Sequence, residues 1–356
     1  MAATAAAAAP PGAPSHPTYD IQAVRAPPAH GAAASALRQP PAAAAVDARR
    51  RRPAGTAGHR GRAGGGRWRP GDITTLATIP EATQATATFL AKADGVLAGV
   101  AVADAVFAAV DPGLRATWSL QDGDRVAAGD QFGFVSGSAR SILVAERVAL
   151  NFMQRMSGVA TATAAMVAAA AGHKARILDT RKTAPGLRLL DKWAVALGGG
   201  TPHRMGLFDM MMIKDNHITA AGGISQAVAA AERFIAQRGL QGVQVEVETR
   251  NLEEVQQVLA VLRSGAAPHV ARVMLDNMAR RDAACPGGVD VSLLREAVAA
   301  IGGAVETEAS GNVNLRSVGA IAGAGVDYVS VGALTHSVTA LDISLNIVTQ
   351  AQQAQH

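Results

Sequence analysis

Six short apolar runs alternate with helical runs between residues 175 and 332, and this alternation limits the possible folds more than any other feature. The apolar runs are ARILDTR, FDMMMIKD, VQVEVET, ARVMLDN, AVETEAS and VDYVSVG. Strand–helix alternation with apolar strands predicts a parallel sheet that is buried on both faces. Each run ends in polar or small residues, among them Arg181, Glu248 and Ser310. We therefore predict an α/β barrel of the triosephosphate-isomerase type, with its site at the C-terminal strand ends. A doubly wound open sheet fits the alternation equally well but rarely carries functional groups at every strand end.

Cations gather in one stretch, DTRKTAPGLRLLDKWAVALGGGTPHRMGLFDMMMIKDNH, which covers residues 179–217. Arg181, Lys182 and Lys214 lie at the ends of two apolar runs, where a barrel places them at its mouth. An arginine offers a planar fork to a carboxylate or phosphate, and a lysine offers a compact point charge. The pattern predicts a small ligand with several negative charges; scattered surface cations are the alternative.

Acidic residues alternate along two of the predicted strands. Glu246 and Glu248 are two positions apart in VQVEVET, so they share one face of the strand, and Glu306 and Glu308 do the same in AVETEAS. A charge on the inner face of a barrel strand is costly unless it is paired or used. For Glu246, Glu306 and Glu308, a structural ion pair with Lys or Arg is as good an interpretation as a functional role.

Composition separates a basic leader from the rest of the chain. Residues 1–69 hold ten Arg and two Asp, a balance of +8, whereas the whole chain carries +5, which leaves −3 for residues 70–356. Such Ala-, Pro-, Gly- and Arg-rich sequence cannot bury enough apolar surface to fold, so residues 1–70 are predicted to be disordered. The single cysteine, Cys285, excludes an internal disulfide, and no apolar run is long enough to predict a membrane span.

The motifs TRKTAPGLRLLDKWAV, GGG, HRMGL and IKDNHI resemble those of quinolinate phosphoribosyltransferases, the decarboxylating enzymes of de novo NAD synthesis. The resemblance covers residues 71–348 and a short island at 16–24. The family usually has Asn before its His-Arg pair, where this chain has Pro202. The resemblance implies an incomplete barrel at 151–336 and an N-terminal α/β sandwich at 71–150, completed by about 337–356.

The resemblance also implies the reaction: quinolinate and phosphoribosyl pyrophosphate give nicotinate mononucleotide, CO₂ and pyrophosphate with Mg²⁺ as cofactor. The implied catalytic residues are Lys182, Glu248 and Asp276. Glu248 and Asp276 also match positions that hold the ribose hydroxyls and Mg²⁺, the metal being bound mainly through phosphoribosyl pyrophosphate. The substrate-binding positions are implied to be Arg147, Arg181, Lys182, His203, Arg204, Lys214, Glu248, Asp276, Ser310, Gly311, Asn312 and Gly332. The family forms dimers in which the arginine matching Arg147 acts in the partner's site.

Two other function classes remain open at this point. A Schiff-base aldolase could use Lys182 or Lys214 as its nucleophile. An RNA-binding protein could use the Arg-rich leader, although Trp68 is the only aromatic residue near its arginines. The leader is also compatible with organelle targeting, to a plastid or elsewhere, or else with a cytoplasmic protein. Residues 25–70 stand where the family has an acidic helix, which favours a wrongly joined exon. Activity that survives deletion of the leader would argue against RNA binding.

Overall fold

The structure is a computed structural model that describes residues 71–349. Predictions about the leader, residues 1–70, and about residues 350–356 lie outside the described residues. The first part of the described chain comprises α1 (Ile73–Thr78), β1 (Gln84–Ala91), β2 (Gly95–Val96), α2 (Val100–Val110), β3 (Arg115–Trp118), β4 (Arg125–Val126), β5 (Gln131–Ser138) and α3 (Ala139–Ala169).

The second part comprises β6 (Arg176–Leu178), α4 (Arg188–Leu197), β7 (Met211–Ile213), α5 (Asp215–Ala221), α6 (Ile224–Arg238), β8 (Val245–Thr249), α7 (Leu252–Arg263), β9 (Val270–Asp276), β10 (Arg280–Arg281), β11 (Val289–Asp290), α8 (Ser292–Ile301), β12 (Glu306–Ser310), α9 (Val318–Ala322), β13 (Tyr328–Ser330), α10 (Ala333–His336) and β14 (Ile343–Thr349). A short 3₁₀ turn, Pro286–Gly288, joins β10 to β11.

The first sheet is antiparallel, in the order β14-β1-β5-β3. Alternate residues of β1 are buried, as expected for a sheet with one covered face. Phe89 lies at the centre of the covered face, with its ring centroid 4.7 Å from that of Trp118 and 5.7 Å from that of Phe132. The α3 helix contributes Ile142, Leu150 and Met153 to this core. Because β14 pairs with β1, a strand near the end of the chain completes the first sheet.

The second sheet is parallel and has six strands, in the order β6-β13-β12-β9-β8-β7. All six strands predicted from the sequence are present, and helices separate them. Among the described residues β6 and β7 are the edge strands of this sheet, so the prediction of an incomplete barrel is confirmed. Ser310 is in register with Asp276, which brings the C-terminal ends of neighbouring strands to one level.

Several local predictions were wrong. The sequence RVALNFMQRMSGVATATAAMVAAAAG predicts a long helix that begins at Arg147, but the helix begins at Ala139, because the Ser138 hydroxyl accepts a hydrogen bond from Ser141 N and caps it there. The sequence LQDGDRVAAGDQFGFVSG predicts a hairpin with its turn at Asp122, but the described structure has none there: β4 pairs with β2, and β5 pairs with β1 and β3. The Asp122 carboxylate instead accepts a hydrogen bond from Val100 N at the start of α2. Within residues 71–349, the helices are all too short or too polar to span a bilayer.

Candidate active site at the barrel mouth

A buried ion pair fixes the loop that carries His203. Lys192 Nζ on α4 lies 2.7 Å from Asp179 Oδ1, which follows β6, and both side chains are almost completely buried. The same two groups bond the backbone of His203: Lys192 Nζ donates to its carbonyl at 3.0 Å, and Asp179 Oδ1 accepts from its N–H at 2.7 Å. Burial lowers the pKa of Lys192 and raises that of Asp179, and each partner opposes the other's shift. We treat the pair as charged because both groups have further hydrogen bonds to His203.

The His203 ring is enclosed by two carboxylates from the inner face of the barrel. Its Nε2 lies 3.2 Å from Glu246 Oε2 and 3.2 Å from Glu308 Oε2, and only 5% of the side chain is exposed. Neither approach has hydrogen-bond geometry, and both Glu246 oxygens are buried without a hydrogen-bond partner in the described part of the chain. Arg272 completes the cluster, with Nη1 3.0 Å from Glu308 Oε2. An arginine pair, one of the two interpretations of these glutamates, is therefore present for Glu308 and for Glu306, whose carboxylate lies 3.3 Å from Arg272 Nη2, whereas Glu246 faces only His203 among the described residues.

The protonation of this cluster follows from its burial. Burial and the nearby Glu308 carboxylate raise the pKa of Glu246 to about 7. Burial lowers the pKa of His203, but Glu246 and Glu308 outweigh it and raise the value to about 9, which favours an imidazolium. Geometry disagrees, because Arg204 N lies 2.6 Å from His203 Nδ1 and can donate only to an unprotonated nitrogen. The ring therefore carries its proton on Nε2, and the raised pKa of Glu246 favours a second proton of the cluster on that carboxyl.

The same tautomer argues against a metal at this cluster. The ligand atoms of His203, Glu246 and Glu308 lie within 4.8 Å of one another, which is close enough for three metal ligands. A metal would need the Nε2 lone pair and would therefore place the ring proton on Nδ1. That proton would point at the Arg204 N–H at 2.6 Å. The cluster is thus a buried support for the loop that carries His203 and Arg204.

Two arginines face the interior of the mouth close to each other. Arg181 Nη1 is buried and has no hydrogen-bond partner among the described residues. Burial first, and then the charge of Arg181, lowers the pKa of Arg204. The Arg204 guanidinium contacts its own loop and strand β7, through Met210 O at 3.2 Å and Met212 Sδ at 3.5 Å. Two neighbouring cations with an unused donor form a site that favours an anion.

Acidic groups lie on the other side of the mouth. Lys214 Nζ, directly after β7, pairs with the Glu248 carboxylate at the end of β8. The Glu248 side chain is buried, with only 8% of its surface exposed. Asp276 ends β9 and accepts a hydrogen bond from Asn277 Nδ2 at 2.6 Å. The predicted quinolinate contact Lys214 and the predicted ribose contact Glu248 therefore already touch.

Small residues line the mouth beyond β12 and β13. Gly311 has φ 92°, and a Cβ there would collide with the Asn277 side chain, so only glycine fits beside it. Asn312 also has a left-handed backbone, at φ 57°. At Gly332 an added Cβ would lie 3.3 Å from Lys182 Cδ, so the exposed Lys182 side chain passes directly over this glycine. The described structure thus brings Lys182 and the two small-residue loops to the same end of the barrel.

Arg147, on α3, lies away from the predicted site residues at the barrel mouth. It lies in the third turn of α3, its side chain is 66% exposed, and its nearest acid is Glu146 at 3.8 Å. No contact with another predicted site residue is present among the described residues. An exposed, weakly paired arginine suits either a solvated surface or a contact with a second chain.

Residue patterns did not reveal the supports of the site. Lys192 counted as one cation of the stretch, yet it is buried; its signal was the apolar context LLDKWAVAL, in which Asp191 and Lys192 stand among apolar residues. Asp191 beside it binds Arg155 of α3 in a two-point contact at 2.9 and 2.8 Å. No sequence pattern indicated a role for Arg272 or Tyr328. In the structure the ring centroid of Tyr328 lies 3.9 Å from Arg272 Cζ.

An incomplete α/β barrel with a cationic mouth beside small-residue loops defines an enzyme of the phosphoribosyl-transfer class. Residues 72–157 match the N-terminal domain of quinolinate phosphoribosyl transferase, and residues 159–346 match its C-terminal domain. The chain belongs to the quinolinate phosphoribosyltransferase family. As an enzyme of pentosyl transfer it is not a Schiff-base aldolase.

Relatives and solved structures agree with this assignment. Quinolinate phosphoribosyltransferase (decarboxylating) 1 of Nicotiana glauca is 57% identical over 280 residues, 79% of this chain and 78% of the relative. The chloroplastic nicotinate-nucleotide pyrophosphorylase (carboxylating) of Arabidopsis thaliana is 52% identical over 340 residues, 95% of this chain and 85% of the relative. The crystal structure of NadC from Streptococcus pyogenes has a TM-score of 0.69 at 37% identity, covering 78% of this chain and 91% of that one. The fold, with its barrel and N-terminal sheet, is therefore that of the family.

Proposed function

We propose that this chain transfers the phosphoribosyl group of phosphoribosyl pyrophosphate to quinolinate with loss of CO₂, as a Mg²⁺-dependent homodimer. The observation that carries the proposal is the paired Arg181 and Arg204 guanidinium groups, one with a buried donor that no described residue satisfies. Quinolinate is a dianion, and two adjacent planar forks match two carboxylates. Nicotinate mononucleotide and pyrophosphate are the products beside CO₂, as in NAD biosynthesis.

The quinolinate clamp consists of Arg181, Arg204 and Lys214, with His203 beneath it. Lys214 is paired with Glu248 in the described structure, so binding of a carboxylate gives it a second anionic partner. The ring of His203 has both nitrogens directed at protein groups. We assign it to fix Arg204, whose backbone N–H it holds at 2.6 Å. A direct contact of His203 with quinolinate, as the family resemblance implies, requires the ring to rotate.

Phosphoribosyl pyrophosphate occupies the opposite side of the mouth. Its 5′-phosphate lies against the small-residue loops Ser310–Asn312 and Gly332, where backbone N–H groups can approach a phosphate closely. Lys182 extends over Gly332 and supplies the positive charge there. Glu248 and Asp276 are set to hold the ribose hydroxyls and Mg²⁺, and carboxylate oxygens on only two residues suit an ion that keeps water and substrate phosphates as its other ligands. When bound, Mg²⁺ stabilises the departing pyrophosphate.

Chemistry at this site depends on placed charge rather than on a strong base. The pyridine nitrogen of quinolinate attacks C1 of the ribose, and the bond from C1 to pyrophosphate breaks with its electron pair leaving on the pyrophosphate. The Glu248 and Asp276 carboxylates stabilise the positive charge that develops on the ribose. When CO₂ leaves the adjacent carbon, the bonding electron pair stays on that carbon, the positive charge of the ring nitrogen stabilises it, and a proton from solvent then replaces the CO₂.

A second copy of this chain completes the site with Arg147. Around Arg147, the α3 helix exposes Val144 and Val148, which are 46% and 47% accessible. The neighbouring α1 helix exposes Ile73 and Leu76, at 60% and 49%, and Arg140 of α3 anchors the residue after α1 through Ile79 O. Contiguous exposed apolar residues mark an interaction surface. The exposed cation at its edge fits a partner whose mouth holds a dianion, and sedimentation should show a dimer.

The location of the protein in the cell follows its plant relatives. Those of Arabidopsis thaliana and rice are named chloroplastic, and one of Nicotiana tabacum is named mitochondrial. An organelle is therefore the proposed compartment, and a plastid is the first choice. Expression of the full chain with a C-terminal fluorescent protein in leaf cells tests this, and a cytosolic signal would contradict it.

Mass spectrometry of the reaction products tests the proposed reaction. The purified chain is incubated with quinolinate, phosphoribosyl pyrophosphate and Mg²⁺, and nicotinate mononucleotide and CO₂ are the expected products. Nicotinate is the control substrate. Each lost charge-assisted contact costs about 1.5–3 kcal/mol, so nicotinate should react with a kcat/KM lower by at least about tenfold. Equal turnover of both substrates would overturn the assignment, and undiminished rates in excess chelator would overturn the Mg²⁺ requirement.

A further inference from the structure

A cavity on the rim of the mouth lies between two loops that follow neighbouring strands, and its arginines have no role assigned in the proposed reaction. It has a volume of about 480 Å³, within the range of small-molecule sites. The β10–β11 hairpin, which follows β9, forms one wall, and the loop after β12 forms the other. Asn312 belongs to both this cavity and the small-residue loop of the proposed phosphate site.

Two arginines line this cavity without a partner. Arg281 lies on β10 and Arg316 in the loop after β12, and neither guanidinium has an ion pair or a hydrogen bond to any described residue. Asp282 is the acid in the lining, and its carboxylate accepts hydrogen bonds from Ala284 N and Cys285 Sγ. The cavity is therefore lined by two positive charges and one negative charge, and the negatively charged Asp282 already accepts two hydrogen bonds from its own loop.

The walls are built so that a ligand can approach the backbone. Gly287 and Gly288 both have positive φ, at 70° and 71°. An added Cβ at Gly287 would lie 2.6 Å from the Arg316 carbonyl oxygen, so the hairpin packs directly on the opposite loop. Asn314 Oδ1 accepts from the N–H groups of Arg316 and Ser317, which leaves the Asn314 amide NH₂ as a further donor. These groups supply what a phosphate needs: two forked cations, an amide donor and an accessible backbone.

We propose that this rim pocket, centred on Arg281 and Arg316, binds the phosphate group of a small anionic ligand. Two sources offer that chemistry. One is phosphoribosyl pyrophosphate itself, which would reach the pocket from the site beside Asn312, and this source rests on the proposed function. The other is a separate nucleotide that binds at the rim and leaves the substrate site free.

The test compares the double variant Arg281→Ser/Arg316→Ser with wild type and with Arg280→Ser. Arg280 is exposed and adjacent but does not line the cavity, so its variant matches the loss of surface charge. Two measurements are made on the full chain: the KM values of both substrates, and binding of ADP by calorimetry. All three arginine side chains are on exposed residues, so the melting temperatures should agree. The charge-conserving variant Arg281→Lys/Arg316→Lys should recover part of any loss, which a misfolded loop would not.

Each outcome decides the proposal. A several-fold higher KM for phosphoribosyl pyrophosphate in the double variant, with the KM of quinolinate unchanged, identifies the substrate as the ligand. An unchanged KM with ADP binding weakened about tenfold or more identifies a separate nucleotide. If neither quantity changes, or if Arg280→Ser reproduces the change, the pocket binds no phosphate and the proposal fails. If wild type does not use phosphoribosyl pyrophosphate at all, the proposed function fails, while the ADP measurement still judges the pocket.

Discussion

At the scale of single residues, buried charges fix the side chains that meet the ligand. Lys192 and Asp179 hold the backbone of His203, and Glu246 and Glu308 enclose its ring. The ring in turn holds the N–H of Arg204. Burying so many charges is costly unless each has a partner. In the proposed function the buried charges hold the quinolinate clamp rigid before the ligand binds, which offsets this cost.

Replacing Lys192 by Met should lower the free energy of unfolding by about 3–5 kcal/mol, because the buried Asp179 carboxylate loses its cation. Urea denaturation of both proteins measures the difference. Lys174→Met is the matched control: Lys174 also forms a 2.7 Å ion pair, with Asp327, but its side chain is 60% exposed. That control should cost less than about 1 kcal/mol. An equal decrease in the free energy of unfolding of the two variants would show that burial does not make the Lys192–Asp179 ion pair more important for stability than the exposed pair.

The raised pKa of Glu246 should make the free energy of unfolding depend on pH between the ordinary and the raised pKa values. Its pKa of about 7 in the folded protein lies above the ordinary value of 4.5. The folded state therefore keeps a proton on Glu246 that the unfolded chain releases. The stabilisation of the folded state by this proton is complete below pH 4.5 and disappears as the pH rises to about 7. The stability of wild type relative to Glu246→Gln should fall across that window by a few kcal/mol at most.

Unfolding free energies of both proteins at several pH values check this. His203 supplies the competing account, because its pKa rises from 6.5 to about 9. If the extra proton resided on His203, stability would instead be lost between pH 6.5 and 9, and His203→Asn would remove that loss. A constant difference between wild type and Glu246→Gln from pH 4 to 9 would show that Glu246 is ionised throughout.

The sequence indicated the faces of these residues but not their partners. The two-residue spacing of Glu246 and Glu248 correctly placed both on one side of β8, and both are buried. That His203 would lie against Glu246 and Glu308 could not be inferred, because the three come from a loop and two strands more than 40 residues apart. Strand periodicity fixes the direction of a side chain, whereas ion pairing depends on how distant segments meet.

At the scale of elements, glycines let the long helix α3 approach its neighbours. A Cβ at Gly198, which ends α4, would collide with the Ala160 carbonyl oxygen of α3. On α3 itself, a Cβ at Gly158 would collide with the Thr339 carbonyl oxygen. Backbone atoms cannot move aside as a flexible side chain can, so these contacts fix the spacing of α3, α4 and the segment before β14.

Gly158→Ala should therefore destabilise the protein by about 1–3 kcal/mol, even though alanine favours helices, since the added methyl group overpacks a closed contact. Thermal unfolding measures the loss. Ala165→Ser, at an exposed position of the same helix, is the control and should change stability by less than about 0.5 kcal/mol. A gain in stability at Gly158→Ala, as helix propensity alone would give, would disprove the close packing.

Element types were easier to predict than element boundaries and pairings. The apolar runs of the barrel became strands because most of their residues are buried or half-buried. The start of α3 was misplaced by eight residues because the capping hydroxyl of Ser138 and the first two turns, ARSILVAE, were not recognised as part of the helix. The β10–β11 hairpin was missed because its strands are two residues long, too short for any periodicity.

At the scale of the whole molecule, one predicted site residue, Arg147, lies on an exposed apolar face of the described chain. Most predicted site residues lie at the ends of the barrel strands or in the loops directly after them, whereas His203 and Arg204 lie in the loop between α4 and β7. Arg147 stands on α3, with exposed Val144 and Val148 beside it. A twofold dimer would use this face twice, so each mouth could receive the arginine of the other chain. The family resemblance implies this arrangement.

Mixing two inactive variants decides whether Arg147 acts in the partner's site. Arg147→Ala subunits keep Lys182, and Lys182→Ala subunits keep Arg147, so a mixed dimer holds one intact site if the arginine crosses over. Statistical exchange should restore about a quarter of wild-type activity, because half of the dimers are mixed and each has one working site. The matched control mixes wild type with the double variant Arg147→Ala/Lys182→Ala, whose mixed dimers have no intact site, so activity per wild-type chain should fall to about half. Mass-tagged subunits verify the exchange; if exchange is complete and no activity returns, Arg147 serves its own chain or none.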